Sequence, residues 1–296
     1  MATTTGSAAR AAAVARPSGR VQILEGLLHG SRWIVLLAVA VTIVVPIAYS
    51  ALGGFRTTGA LRNNPAGLPD PWILDNYIRV LTGDLFWSSL KNSVVVAAIT
   101  VAVVVSVSAL AAYVFARVSF PGREPLFMFF TIGLLFPIAV AILPLYIQIR
   151  NLGLLANPLG VALPQAAFGI PLTILILRPF FRSIPAELED AARIDGCGTF
   201  GFFWRVMLPL SRPALATVSI LALVTSWNAF LLPLLVLGGT DQWTLPLGVM
   251  NFTQQYSQDV AGVLAFTTLA MVPALLFYVV AERQLIGGLT SGAVKG

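Results

Sequence analysis

The chain has 296 residues, of which 57% are hydrophobic and 10% are charged, and its formal net charge is +6. A soluble domain carries about 25% charged residues, so this composition, with a mean hydropathy of +0.87, excludes a cytosolic enzyme and indicates a protein embedded in a lipid bilayer. The single cysteine and the single histidine also exclude an internal disulfide, a cysteine-based zinc site and histidine-based catalysis.

The amino-terminal segment, residues 1–32, is predicted to be a flexible cytoplasmic tail rich in alanine and arginine that ends in a short surface helix over the apolar patch 21–28. Residues 33–52 follow without a charge. At about 1.5 Å per residue, a helix of this length crosses a hydrocarbon layer of about 30 Å. This stretch therefore predicts the first transmembrane helix.

Five further uncharged stretches predict five more crossings, so that residues 33–281 form a six-span membrane domain. The predicted fold class is an all-α membrane protein with six transmembrane helices, followed by a cytoplasmic carboxy-terminal tail, 282–296. The five stretches lie at about 92–116, 126–149, 159–177, 214–238 and 260–280.

The basic residues are distributed unevenly between the two sides of the predicted bundle. With the amino terminus inside, the inner segments hold 13 of the 18 lysines and arginines, and the outer segments hold five. Inner loops of membrane proteins carry an excess of positive charge, so this distribution predicts a multi-pass protein of a bacterial cytoplasmic membrane with both termini in the cytoplasm. Because the net charge of +6 lies entirely on the inner face, no nucleic-acid partner is needed to explain it.

The cytoplasmic segment 183–213, between the fourth and fifth crossings, holds four of the chain's twelve acids within nine residues. Ser183 is predicted to cap a short helix that has Pro185 in its first turn, where proline is tolerated and acids are favourable. The helix is expected to end near Gly196, and the aromatic residues after it predict a second, interfacial helix. A loop that only rests on lipid headgroups is the alternative. One face of the first helix would carry Leu188, Ala191, Ala192 and Asp195.

The same segment resembles the EAA motif of the membrane subunits of binding-protein-dependent ABC importers. That motif reads Glu-Ala-Ala, three residues, Gly, nine residues, Ile, one residue, Leu-Pro. Two residues depart from it, because aspartate replaces glutamate and valine replaces isoleucine, and the aspartate is one methylene shorter. The corresponding residues, with every spacing kept, are Asp190-Ala191-Ala192, Gly196, Val206 and Leu208-Pro209.

The surrounding sequence is similar to the carbohydrate-importer branch of this family. In particular, it resembles the second of the two unequal permeases, the maltose-system G-type permease family. The similarity covers roughly residues 30–296 and is carried by the segments 194–196, 203–206, 208–213, 226–230, 244–248 and 287–296.

The resemblance implies an ABC importer permease fold with a cytoplasmic coupling helix that docks on a separate ATPase chain, which would bind ATP and Mg. The sequence agrees, because a phosphate-binding loop needs Gly-Lys-Ser/Thr and neither Lys91 nor Lys295 follows a glycine. We expect no catalytic residue, cofactor or metal on this chain. The coupling residues implied by the motif are Asp190, Ala191, Ala192, Asp195, Gly196, Leu208 and Pro209.

The resemblance also implies partners. These are a second, unequal permease that completes a heterodimer, an ATPase dimer, membrane lipid, and an extracytoplasmic solute-binding protein. The binding protein would deliver a carbohydrate, expected to be an oligosaccharide, to the outer loops. The outer segment 239–259 is the expected contact.

A sugar pathway needs hydrogen-bonding side chains and flat apolar rings, and polar residues within spans tend to face a cavity. Hydroxyl side chains within the spans, such as Thr225, are set aside because they more often bond to a neighbouring helix. A packing or gating role for the tryptophan and asparagine of the fifth span is the alternative to substrate contact. The candidates for substrate contact are Trp227 and Asn228 in the fifth span, and Gln148 and Gln165 near the ends of the third and fourth.

Other function classes remain open from the residues alone. An ion-coupled secondary transporter usually places an ionisable residue within a span, and the predicted span interiors hold no Asp, Glu, Lys or Arg. A membrane-embedded enzyme needs paired acids, a metal cluster or an activated nucleophile, whereas the acidic cluster here is cytoplasmic. Within the importer family, a permease for a polyol or glycerol-phosphate is the alternative, and a phosphate route would favour arginines in the spans.

Overall fold

A computed structural model describes the backbone of residues 19–254 and 257–293, and the side chains of residues 31–252 and 259–279. Residues 1–18 of the predicted tail 1–32, and the last three residues of the chain, lie outside the described residues. Helices dominate the described chain. They are α1 (Gly19–Gly53), α2 (Thr58–Asn63), α3 (Asp75–Thr82), α4 (Asp84–Arg117), α5 (Arg123–Ile132), α6 (Ile138–Asn151), α7 (Pro158–Ser183), α8 (Ala186–Ile194), α9 (Thr199–Phe202), α10 (Leu208–Leu210), α11 (Arg212–Trp227), α12 (Leu231–Val236), α13 (Leu245–Gly248) and α14 (Val260–Ala293).

Short irregular elements connect some of these helices. Turns of 3-10 helix occupy Gly133–Leu135 and Val249–Phe252, and a π-helical turn occupies Phe203–Met207. The strands β1 (Thr253–Gln254) and β2 (Ser257–Gln258) form a small antiparallel hairpin, in which the first residue of β1 pairs with the last residue of β2.

Four helical stretches are long and apolar enough to cross a membrane. Two further pairs of helical segments pass the same test but are bent, by 98° between Arg123–Leu135 and Ile138–Asn151 and by 78° between Thr199–Leu210 and Arg212–Trp227. The second pair begins inside the predicted cytoplasmic segment 183–213. When each bent pair counts as one span, the described residues contain six crossings, so the predicted all-α membrane fold is confirmed. The four unbroken stretches are Ser31–Gly53, Asp84–Arg117, Pro158–Ser183 and Val260–Val279.

The terminal helices extend beyond the predicted boundaries. The surface helix predicted over 21–28 is not a separate element, because α1 runs without a break from Gly19. The predicted tail 282–296 is likewise helical as far as Ala293. Neither junction contains a proline, so the backbone can continue its hydrogen-bond ladder from the apolar stretch into the polar one.

The fifth predicted span, 214–238, is not one helix. α11 stops at Trp227, and the short helix α12 starts only at Leu231. A continuous helix would push the ring of Pro233 against the carbonyl of Ala229 and would leave that carbonyl without an amide partner. The third predicted span, 126–149, is broken as well, by extended backbone at Phe136 and Pro137.

The body of the chain from Ser50 onward is organised around α4 and α7, which pack along each other, with α11 packed against both. The apolar core lies in three clusters along this bundle. The inner cluster joins α4 and α7 to the segment that follows α8, the second joins α7 to α12, and the third joins α4 to α11 and α14. The largest buried side chains of the inner cluster are Phe181, Phe202, Phe203 and Met207.

Candidate coupling segment and transmembrane cavity

The short helix α8 has the boundaries that its sequence predicts, with one correction at its start. Its amino-terminal cap position is Pro185, in extended backbone, whereas Ser183 belongs to α7 and its hydroxyl donates to the carbonyl of Phe180 at 2.8 Å. The predicted serine cap is therefore wrong, because the hydroxyl is already used within the preceding helix. At the other end, Gly196 has a φ of +78°, a conformation that glycine adopts without strain, and it ends the helix.

The outward face of α8 is open and partly apolar. Asp190, Ala191 and Asp195 are exposed, whereas Ala192 is half-buried against the inner cluster. Ile194 is 87% exposed. Exposed apolar side chains beside acids on a short, ordered helix are typical of a protein interface.

Arg117, at the end of α4, ties α8 to the membrane bundle. Its guanidinium donates to the carbonyl oxygen of Phe181 at 2.8 and 3.1 Å and also to that of Ile184, so it satisfies carbonyls at the end of α7. Its Nη1 atom lies 3.9 Å from the carboxylate of Glu189 on α8, and Glu189 also pairs with Arg193 at 2.8 Å. The helices α4, α7 and α8 are thus joined by one cation.

A second ionic cluster lies beside this one, at the start of α5. The carboxylate of Glu124 accepts hydrogen bonds from Arg178 and, at 3.0 Å, from Arg182, both on α7. Arg178 is buried, donates to the carbonyl of Phe115 at 3.2 Å, and stacks over the ring of Phe127 at 3.8 Å. Sequence reasoning placed these arginines on the inner face but did not identify their partners, because the pairing joins residues more than 50 positions apart.

The second helix of the segment is packed into the bundle and does not merely rest at the membrane surface. Phe202, Phe203 and Met207 are at most 2% exposed, which rules out the headgroup-resting loop. Within the π-helical turn, the amide of Leu208 bonds to the carbonyl of Phe203. Pro209, which follows, lacks an amide donor and is exposed, whereas Leu208 is half-buried against the inner cluster.

A cavity of about 480 Å³ lies between α4, α7 and α11. Both breaks in the helical spans reach it, since Phe136 and Ile138 line it from the first break and Ala229 and Phe230 from the second. Irregular backbone at membrane depth is tolerated where it is buried in protein or lines a water-filled cavity. The two broken spans therefore form part of the cavity wall.

Gln165 is the central polar residue of this cavity. Its Oε1 atom accepts a hydrogen bond from Ser226 at 2.6 Å and lies 3.3 Å from the hydroxyl of Thr100, which donates to the carbonyl of Val96 at 2.8 Å, so three helices meet at one amide. Its Nε2 atom is buried without a hydrogen-bond partner among the described residues. Sequence reasoning selected Gln165 but missed Ser226 and Thr100, and it set aside Thr225, which also lines the cavity.

The other predicted pathway residues lie elsewhere. Trp227 is 5% exposed and packs edge-on against Phe277 at 5.8 Å, in the third core cluster. Asn228 is exposed, and its amide donates to the carbonyl of Val224 at 2.9 Å, which closes the end of α11. Gln148 is exposed near the end of α6. The structure therefore brings none of these three side chains to the cavity that Gln165 lines.

On the side predicted to be extracytoplasmic, Asp259 anchors the start of α14. Its carboxylate accepts hydrogen bonds from the backbone amide of Gly262 at 2.9 Å, from the hydroxyl of Thr58 at 3.1 Å, and from Arg79. Although burial alone would raise the pKa of Asp259, these hydrogen bonds hold that pKa below its usual value. The end of the outer segment 239–259 is thus held against α3 and α14.

A helical bundle of membrane-spanning length, with a short exposed helix attached to it and a largely apolar cavity that holds a few polar side chains, has the architecture of a membrane transport subunit. The family described as "binding-protein-dependent transport system inner membrane component" matches residues 107–285. The chain is 36% identical over 262 residues to the diacetylchitobiose uptake system permease protein NgcG of Streptomyces coelicolor, covering 88% of this chain and 87% of that protein. It therefore belongs to this family of transport permeases.

Two further similarities agree with this assignment. The chain is 34% identical over 274 residues to the trehalose transport system permease protein SugB of Mycobacterium tuberculosis, covering 92% of this chain and all of that protein. Its fold is similar to a chain of a bacterial ABC transporter involved in the import of the acidic polysaccharide alginate, with a TM-score of 0.76 and 24% identity over 89% of this chain and 97% of that one. The predicted ABC importer permease fold is thus confirmed.

Proposed function

We propose that the chain is the membrane-spanning permease subunit of an ATP-driven importer that moves a carbohydrate into the cytoplasm. The observation that carries the proposal is the attachment of α8: an open helix of nine residues is tied to the ends of α4 and α7 through Arg117. A rigid inner helix of this kind can pass a movement of a soluble partner to the membrane spans. The named substrates of the relatives, diacetylchitobiose and trehalose, support a carbohydrate cargo.

In this proposal the energy source is a separate ATPase dimer that binds ATP and Mg, and α8 docks in a cleft on its surface. Asp190 is the charged anchor, and the small side chains of Ala191 and Ala192 allow close approach of the partner. Asp195 and Gly196 end the helix, while Leu208 and Pro209 close the second helix beneath it. The exposure of Asp190 and Ala191 and the half-burial of Ala192 and Leu208 support this division between a docking face and a base.

The remaining partners follow from the same proposal. A second, unequal permease would complete the heterodimer in the lipid bilayer, and an extracytoplasmic binding protein would deliver the sugar to the outer segment 239–259. The similar alginate transporter has been crystallised in complex with a periplasmic protein bound to an alginate pentasaccharide, which supports such a partner. With α8 on the cytoplasmic side, both termini lie in the cytoplasm, as the distribution of basic residues predicts.

Reconstitution of the complete complex in proteoliposomes tests the function. We expect ATP-dependent uptake, and ATPase stimulation by the cognate binding protein together with one sugar of a panel: trehalose, maltose, N,N′-diacetylchitobiose, arabinobiose and a mannuronate disaccharide. Uptake that needs no ATP and is abolished by an ionophore would instead identify an ion-coupled transporter. Stimulation only by glycerol-phosphate or a polyol would assign the other substrate class.

Charge reversal on α8 tests the coupling residues. Asp190→Lys should reduce ATP-driven uptake at least tenfold. Replacing an attractive charge pair at the interface by a repulsive one costs on the order of 1.4 kcal/mol, which is a factor of ten. Asp190→Glu keeps the charge and should retain uptake. Glu187→Lys is the matched control, since Glu187 is exposed on the same helix but lies outside the motif. Equal loss of uptake in both charge-reversal variants would show that Asp190 has no special role as an anchor.

A further inference from the structure

We propose that the cavity between α4, α7 and α11 holds one uncharged sugar ring during transport, and that the amide of Gln165 donates hydrogen bonds to its hydroxyl groups. This inference rests on the proposed importer function and adds to it the chemistry of the cargo and a residue that contacts it. The unmet donor of Gln165, the two broken spans and the uncharged lining carry the argument.

The size and the wall of the cavity suit a small polar ligand. Its volume of about 480 Å³ lies within the range of about 300–1,000 Å³ that is usual for small-molecule sites. Broken helices in transporters commonly form substrate sites, because the irregular backbone has to be covered by protein or by a water-filled cavity. Here the breaks at Phe136 and at Phe230 reach the same cavity from two different spans.

The orientation of the Gln165 amide is determined by its neighbours. Ser226 donates to Oε1 at 2.6 Å, so the two N–H donors of Nε2 remain available. That nitrogen is buried and has no hydrogen-bond partner among the described residues. A buried donor without a partner is costly, and a ligand that brings acceptor oxygens would satisfy it. Ser226 is then a positioning residue, which acts through Gln165.

The composition of the cavity lining disfavours a charged ligand. No residue of the described lining is ionisable, so a carboxylate or phosphate group would lose its water without gaining a cation, which is strongly unfavourable. Phe136, Phe168 and Phe230 offer aromatic surface for the apolar C–H faces of a sugar ring. The cavity therefore favours a neutral saccharide over a uronic acid or a sugar phosphate.

Substrate protection of an introduced cysteine tests occupancy directly. In the complete complex, Cys197→Ser first removes the native thiol of this chain. A single cysteine is then introduced either in the cavity lining, as Ala222→Cys, or on the same helix outside the cavity, as Ala216→Cys. We expect the neutral disaccharide that stimulates ATPase activity in the panel to slow maleimide labelling of position 222 at least fivefold and that of position 216 not at all. The mannuronate disaccharide should protect neither position. Absence of protection at 222, or equal protection by the acidic sugar, overturns the inference.

Uptake kinetics test the role of Gln165. Removing a hydrogen bond to the sugar in Gln165→Leu should raise the KM for uptake roughly tenfold with a smaller change in kcat, and Ser226→Ala should show an intermediate rise. Ser219→Ala is the matched control, because its hydroxyl donates to Leu215 within α11 and does not line the cavity. If Gln165→Leu and Ser226→Ala both have the wild-type KM, and the wild-type complex shows ATP-dependent uptake, the inference is overturned but the proposed function is not. Absence of that uptake in the wild type overturns the proposed function.

Discussion

Replacement of Arg117 by methionine should detach α8 from the membrane bundle without altering its docking face. The arginine side chain is only 10% exposed, and that of its partner Glu189 is 13% exposed. Methionine keeps most of the aliphatic length but removes every donor. The carbonyls of Phe181 and Ile184 then lose their protein partner at the point where the chain leaves α7.

The expected loss can be worked from these contacts. A hydrogen bond that involves a charged group contributes about 1.5–3 kcal/mol, and a cation at a helix carboxy terminus contributes up to about 2 kcal/mol in a partly buried site. Because the contacts share one guanidinium and are not additive, we expect a total loss of about 3 kcal/mol for local opening of α8. Since 1.4 kcal/mol is a factor of ten, this corresponds to roughly 100-fold faster exchange of the protected amides of α8.

Hydrogen exchange with mass spectrometry on the complex in nanodiscs measures this effect, using peptides that cover residues 184–196. Arg193→Met is the matched control, because Arg193 pairs with the same glutamate but is 62% exposed. An exposed pair of this spacing contributes about 0.3–0.5 kcal/mol, so exchange should rise only about twofold. Unchanged exchange in Arg117→Met, or an equal increase in both variants, would refute the assigned role of Arg117. ATP-driven uptake should fall in Arg117→Met but not in the control.

Two further substitutions test the packing of the outer half. Asp259→Ala should weaken the start of α14 by about 1 kcal/mol, seen as faster amide exchange there, whereas Asp259→Asn keeps a capping oxygen and should cost less. Because the pKa of Asp259 is lowered, the carboxylate's contribution should be constant from pH 8 to pH 5 and be lost below about pH 4. Gly160→Ala should destabilise the bundle by about 1–3 kcal/mol, because the new methyl group would overlap the carbonyl of Leu154, whereas a methyl group at Gly59 would meet only the hydroxyl oxygen of Thr57, at 4.0 Å.

Thermal unfolding of the purified complex in detergent measures the glycine variants. An unchanged melting temperature for Gly160→Ala, or an equal loss in both glycine variants, would contradict the close approach of α7 to the carbonyl of Leu154 in the turn before it. For the aspartate, an effect of Asp259→Ala that changes between pH 5 and pH 8 would show that another group titrates at this site.

Short-range patterns in the sequence were sufficient for the number of apolar segments of membrane length and for the end of α8. Uncharged stretches of membrane length, and a glycine after an acidic amphipathic run, both act within about 25 positions. Each of these signals depends on the solvent or on the local backbone, and neither requires knowledge of which helix lies beside which. The break in the fifth span could not be predicted from Pro233 alone, because α6, α7 and α14 continue through Pro144, Pro171 and Pro273.

The identity of the cavity residues depended on the packing of distant helices. Ser226 and Trp227 are neighbours in the chain, but successive residues of a helix point about 100° apart, so Ser226 faces Gln165 while Trp227 packs against α14. Nothing in the local sequence distinguishes these two directions. The same holds for Arg117, whose partners lie 64 to 72 positions away. Contacts between residues so far apart in the chain form only when α4, α7 and α11 pack together. The packing of these helices determines which side chains lie side by side.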